Sequence, residues 1–266
     1  MGLVTSHIRA PPLATEAAME AHDPDQRTVT FRPSGTMATT DHARPMLFVC
    51  ANSVQDSYEE RGPMQRLADT LQTTVVYWEW PEHGVRRKRV AGHDGQWQIT
   101  QAKPSAIKAD VLQAFADTAA LARAKKVPSF YLLGRAFGTG PAMHVLKHAA
   151  AEDRVLLKGA CLVSPFTSFL DLAWAFRPTS LAWPLSKYRN SGPETFDNIA
   201  NSLGIESAHK ILLVHGKQDD VFPPSGAEQL EMALKDAHLI MRPDWDHHMP
   251  WDVLTNGELK RWLSEH

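Results

Sequence analysis

Three positions in this chain could together carry acyl-transfer chemistry: Ala136, Asp219 and His247. An imidazole oriented by a carboxylate is a general base that takes a proton from a nucleophile and later gives it to the leaving group. Asp219 follows the apolar run Ile211-Leu212-Leu213-Val214 within an H-G-x-x-D-x-x-x-P pattern that extends from His215 to Pro223. It is the fourth residue after His215, as that pattern requires, whereas Asp220 is displaced by one. His247 lies in the loop Asp244-Trp245-Asp246-His247-His248, behind the run Leu239-Ile240-Met241. The third position is the middle of Gly134-Arg135-Ala136-Phe137-Gly138, where the apolar segment Phe130-Tyr131-Leu132-Leu133 meets a helical pattern. Glycines at both ends of such a frame permit a tight, strained turn that lifts its middle side chain above a sheet. In the G-x-S-x-G pattern that side chain is a serine nucleophile. Here it is alanine, and a methyl group cannot attack a carbonyl. Read alone, the segment is a buried strand followed by a glycine-rich helix start. The acid and the histidine downstream are what give it a chemical reading.

Such chemistry needs all three positions at one edge of a sheet, and the chain alternates accordingly. Met46 to Cys50 reads as a buried strand, Arg61 to Gln72 as a helix and Thr74 to Trp78 as another strand. A long helix is expected over 104–126, entered through Pro104 and Ser105, with Ile107, Val111, Leu112 and Phe115 on one stripe. The strand of the glycine frame follows, then a helix over 141–150, a strand over 156–163, the strand before Asp219 and the last strand before His247. Strands alternating with helices predict an α/β fold with a mostly parallel central sheet covered on both faces. The intervals between the three positions leave room for an insert after 136 and for one helix plus one strand after 219.

Composition narrows the rest. With 43% hydrophobic residues in 266, the chain can bury one substantial core, expected over 46–266. Residues 1–45 read as a tail with one outlying strand at Thr28 to Arg32. A net charge of −2 provides no field that would attract nucleic acid. The two cysteines, Cys50 and Cys161, sit in apolar runs, as buried free thiols do in a reducing compartment, so a cytoplasmic protein is expected. Cys50 is the one other conceivable nucleophile near the site, and a buried structural thiol is the expected reading. The opening Met1-Gly2-Leu3-Val4-Thr5-Ser6 fits an N-myristoylation pattern on Gly2, and Arg86, Arg87, Lys88 and Arg89 form a basic run. One acyl chain anchors only marginally, so those cations would be the second signal for peripheral membrane contact. Asp244, Asp246, His247 and His248 are metal-ligating in type, but no second ligand cluster accompanies them.

Taken together, these motifs resemble the serine α/β-hydrolases, in particular the small-cap branch of acylglycerol lipases, membrane-anchored protein depalmitoylases and prolyl-oligopeptidase-like enzymes. The resemblance runs from about residue 45 to the end. It rests on Gly134 to Pro141, on Ser164-Pro165-Phe166-Thr167-Ser168, on Phe196-Asp197-Asn198-Ile199, and on the acid and histidine motifs. It implies His247 as base, since relatives often carry asparagine where His248 stands, with Asp219 as its acid. The oxyanion hole would come from the N–H of Phe137 and from the Cys50-Ala51-Asn52 loop, through Ala51 or Asn52, where the family usually has His-Gly-Asn. Its Tyr-Pro-Gly-Tyr-Gly turn appears as Trp80-Pro81-Glu82-His83-Gly84. A cap insert would span roughly 167–205, with Trp174, Phe176 and Trp183 packing on the core, contacting an acyl group, or both. The implied substrate is a small-molecule or acyl-chain ester or thioester, with no cofactor. Ala136 leaves two readings open: a serine replaced to trap a substrate, or a natural pseudoenzyme that binds an acyl ligand or a protein partner.

Overall fold

Seven strands, the central ones with almost unbroken apolar sequences, form the centre of the molecule. The structure, a computed structural model, describes residues 26–34, 44–51, 60–81, 86, 88–89, 97–98, 104–169, 171–172, 196–205 and 209–265. The first strands are β1 (Thr28–Phe31), β2 (Met46–Cys50) and β3 (Thr74–Trp78), with helix α1 (Arg61–Leu71) between the last two. A two-stranded ribbon, β4 (Lys88–Arg89) and β5 (Trp97–Gln98), precedes α2 (Pro104–Ala124) and β6 (Phe130–Arg135). Then come α3 (Thr139–His148), α4 (Ala151–Arg154), β7 (Leu157–Val163), α5 (Asn198–Ser202) and β8 (Lys210–Gly216). The chain continues through α6 (Ser225–Ala233), β9 (Ala237–Arg242), α7 (Trp251–Leu254) and, after a π-helical turn at Thr255–Leu259, α8 (Lys260–Glu265). The main sheet has the order β1-β3-β2-β6-β7-β8-β9. Only β1, at the edge, is antiparallel to its neighbour, with Thr28 opposite Trp78; the other five pairings are parallel.

Every residue of β2 and β3 is buried, because both faces of the sheet are covered. Side chains alternate between the two faces. Phe48, Val76, Leu132, Leu162 and Leu213 pack with Val111 and Phe115 of α2 and Met143 of α3. Leu47, Val75, Leu133, Cys161 and Val214 pack with Met64 of α1 and Trp262 of α8. The expected stripe on α2 is observed, with Ile107, Val111 and Phe115 buried and Leu112 packed against them. Pro104 heads that helix, where its missing N–H has no helical partner to lose.

One expectation about the surface is corrected. Arg86 is not an exposed cation available to a membrane. Its guanidinium grips Asp110 of α2 with both terminal nitrogens, at 2.7 and 2.9 Å, and donates to Glu79 O. Arg27 Nε and Trp78 Nε1 converge on the same carboxylate. Both partners of the Arg86–Asp110 pair are only 11% exposed, so this charge is spent on holding α2 to the strand edge. Gly2, Arg87 and the side chains of Lys88 and Arg89 lie outside the described residues. No helix among the described residues is long and apolar enough to cross a membrane.

Candidate active site

At the carboxyl end of β6 the backbone turns through Ala136 with φ 49°, a left-handed conformation that costs a residue bearing a Cβ. A short 3₁₀ turn, Ala136–Gly138, leads directly into α3, and Thr139 Oγ1 donates to Ala136 O at 2.7 Å. The glycines make this turn sterically possible. A Cβ on Gly134 would meet the Cβ of Ala142 at 2.8 Å, and one on Gly138 would stand 2.0 Å from Cys50 O and 2.5 Å from Ala51 O. The end of β2, expected to supply an oxyanion donor, is therefore pressed against the start of the elbow helix. Trp80 Nε1 holds that end by donating to Ala51 O at 3.0 Å. Asn52 lies outside the described residues.

The acid and the histidine are in direct contact. His247 Nδ1 lies 2.9 Å from Asp219 Oδ2 and 3.1 Å from Oδ1, and both residues are buried. Asp219 Oδ1 also accepts the backbone N–H groups of Val221 and Phe222, at 3.0 and 2.7 Å. Burial alone would raise this carboxyl. Hydrogen bonds from His215, His247 and the Phe222 N–H outweigh it and hold Asp219 well below the usual carboxylate range. With Asp219 ionised and bound at Nδ1, the imidazole is held in the orientation and tautomer of a general base. Neighbouring His248 is not part of this pairing; its N–H bonds Asp246. Among the described residues no group of three or more potential metal ligands converges.

Aromatic rings join the elbow to the dyad. Phe137 contacts Phe222 (centroids 5.2 Å apart), and Phe222 contacts the His247 ring at 4.7 Å. Phe166 and Phe169, stacked at 4.9 Å, complete this wall, with Phe196 edge-on to Phe169. Asn198 Nδ2 donates to Phe166 O and Asp197 caps α5, so the Phe196–Ile199 motif fixes the turn after β7. Beside Phe166 and Phe222 opens a cleft of about 200 Å³, also lined by Thr167, Asp171, Leu172 and Gln229. Trp174, Phe176 and Trp183 fall outside the described residues. The phenylalanine wall was not anticipated as a unit, although four of its five rings, all but Phe169, lie within quoted motifs. Arg135 was also missed. Its Nη2 donates to Met249 O at 2.6 Å and its guanidinium lies 4.6 Å from the Trp251 ring, tying the elbow to the segment just after His247. Cys50 is fully buried, and desolvation pushes its thiol far above the ordinary range, which removes it as a nucleophile.

Residues 182–253, a span that holds both Asp219 and His247, match the family described as TAP-like protein. No curated protein sequence matches the chain significantly. Solved structures match over nearly its whole length. Est1E from Butyrivibrio proteoclasticus aligns with a TM-score of 0.62 at 16% identity, covering 90% of this chain and 93% of that one, and it has also been solved with ferulic acid bound. An esterase of Pyrococcus furiosus aligns at 0.58 and 13% identity, covering 84% and 81% of the two chains. Alpha/beta hydrolase domain-containing protein 10 from mouse aligns at 0.56 and 12% identity, covering 90% and 93%. At these identities the likeness is one of architecture: the chain has the α/β-hydrolase fold, with elbow, acid and histidine in order along the sheet edge.

Proposed function

We propose that the chain is a serine-hydrolase-type scaffold for small carboxylic esters or thioesters, with Ala136 in the nucleophile position and therefore inert as an esterase. The observation that carries this reading is a left-handed elbow retained at Ala136 beside a fully formed His247–Asp219 dyad. A strained turn of that kind has a purpose when its middle residue must stand above the sheet. With a serine there, His247 would remove the hydroxyl proton as Oγ bonds to the ester carbonyl carbon. The negative oxygen would face the N–H of Phe137 and one from the Ala51–Asn52 segment, each such donor being worth about 10²–10³ in rate. The proton would then pass from the imidazolium to the leaving alkoxide or thiolate, and water would release the acyl group by the same route. With alanine the ester can be bound but not attacked. In subtilisin, loss of the serine costs about 2 × 10⁶ in kcat.

The cleft beside Phe222, the ring that contacts His247, is a candidate place for a substrate group. At about 200 Å³ it lies below the roughly 300–1,000 Å³ typical of sites for drug-sized ligands. Replacement Ala136→Ser, followed by fluorophosphonate labelling and hydrolysis of short-chain p-nitrophenyl esters, tests the reading. A folded variant that neither labels nor turns over would assign the scaffold to ligand or partner binding instead.

A further inference from the structure

The H-G-x-x-D pattern includes a histidine that the chemistry above does not use. His215 is completely buried at the end of β8, with Nε2 3.1 Å from Phe222 O and 3.3 Å from Asp219 Oδ2. Both neighbours are acceptors, so the tautomer that satisfies them carries its hydrogen on Nε2 and leaves a lone pair on Nδ1. That Nδ1 is buried and has no hydrogen-bond partner. A second orphan lies on the neighbouring strand: Ser164 Oγ is buried without a partner just past the end of β7, on a left-handed backbone with φ 47°. The Ser164 N–H donates to Val214 O at 2.8 Å, which extends the parallel register one step past Val163 and Val214 and sets Ser164 opposite His215. Buried polar atoms are rarely left unpaired, and here a donor and an acceptor lie at adjoining positions of neighbouring strands.

We propose that Ser164, His215, Asp219 and His247 form one buried hydrogen-bonded chain in which His215 is a positioning residue for the acid. Ser164 Oγ–H donates to His215 Nδ1 across one enclosed water, and the single His215 Nε2–H is shared between Phe222 O, at 3.1 Å, and Asp219 Oδ2, at 3.3 Å. Asp219 in turn accepts the Nδ1–H of His247. The carboxylate is then held on one oxygen by the turn's backbone and on the other by His215, so the lone pair aimed at His247 cannot swing away. This inference rests on the reading of His247 as the base.

The first test uses the full chain as it stands, labelled with ¹⁵N, and observes the histidine side chains by NMR. His215 is expected as the Nε2–H tautomer, with a strongly downfield, slowly exchanging Nδ1 proton on His247. Ser164→Ala should move the His215 Nδ1 resonance. His215→Leu should broaden or shift the His247 proton, and His215→Gln, whose amide N–H can reach the same carboxylate, should recover it. In the Ala136→Ser background, His215→Leu should lower kcat about 10–100-fold at unchanged KM, by analogy with the loss of a hydrogen-bonded partner that orients a metal-ligating side chain. A parent His215 with hydrogen on Nδ1 alone would overturn the proposal, and so would a folded His215→Leu protein with unchanged His247 proton and kcat. If His215→Leu does not fold, the parent tautomer and Ser164→Ala decide. Should Ala136→Ser lack activity while the NMR results hold, the esterase reading fails and the hydrogen-bonded chain stands.

Discussion

Replacing Gly138 by alanine should damage the protein out of proportion to the single methyl group added. The new Cβ would lie 2.0 Å from Cys50 O and 2.5 Å from both Cys50 C and Ala51 O. These are backbone atoms and cannot rotate aside. Cys50 is in register with Trp78 on one side and Gly134 on the other, and Ala51 O is held by Trp80. Relief therefore requires moving the end of a central strand or the start of α3. Overpacking typically costs about 1–3 kcal/mol, and a backbone clash at this separation belongs near the upper end, about 3 kcal/mol. At about 2–4 °C per kcal/mol for a chain of this size, Tm should fall by about 6–12 °C. The control is Gly226→Ala near the start of α6, where the nearest atom, Pro165 O, is 3.6 Å from the added Cβ. There alanine should be neutral or stabilising by about 0.5 kcal/mol, because glycine in a helix sacrifices more chain entropy. Thermal and urea unfolding followed by circular dichroism measure both variants. If Gly138→Ala melts with the parent, or Gly226→Ala is the more damaging change, the account of the elbow's packing is wrong. In the Ala136→Ser background, Gly138→Ala should also lower kcat about 100-fold, as expected for displacement of an oxyanion donor by about 1 Å.

Asp219→Asn should destabilise the chain most above about pH 4. The folded-state value of Asp219 is depressed, so its contribution is complete above the unfolded value of about 3.9 and is lost as pH falls below it. Urea titrations should show the gap between parent and variant shrinking on acidification, and a gap that widens would contradict the assignment. Arg86→Gln should cost about 1–2 kcal/mol in the same assay, since it removes a charged, largely buried pair from Asp110, and should leave partitioning onto anionic vesicles unchanged. A loss of vesicle binding without a loss of stability would restore the membrane reading of this residue. Cys50 and Cys161 should resist thiol reagents in the folded protein and react only on unfolding, because burial keeps both as thiols.

Much of the fold was legible because covered parallel strands are written as continuous apolar runs, and Met46–Cys50, Thr74–Trp78 and Phe130–Leu133 could hardly be anything else. The elbow was legible because glycines at 134 and 138 mark places where backbone must approach backbone. Asp219 and His247 emerged from motif position, and their contact was then found at 2.9 Å. What stayed hidden depends on partners distant in sequence. Arg86 lies in a run of four basic residues and looks solvated, and nothing local points to Asp110, 24 residues on. Arg135 reaches Met249, 114 residues away, and Phe137, Phe166, Phe196 and Phe222 come from four separate segments that only the closed sheet brings together. The adjoining orphans on Ser164 and His215 needed the register of β7 on β8, which periodicity cannot supply.

The central claim is that position 136 lacks only a hydroxyl. Intact-protein mass spectrometry of Ala136→Ser after exposure to a fluorophosphonate tests it most directly, beside Ala136→Ser/His247→Ala and the parent chain. The account predicts one covalent adduct on the single variant, with none on the other two. A correctly folded Ala136→Ser protein that takes up no adduct, or a parent chain that does, would contradict it.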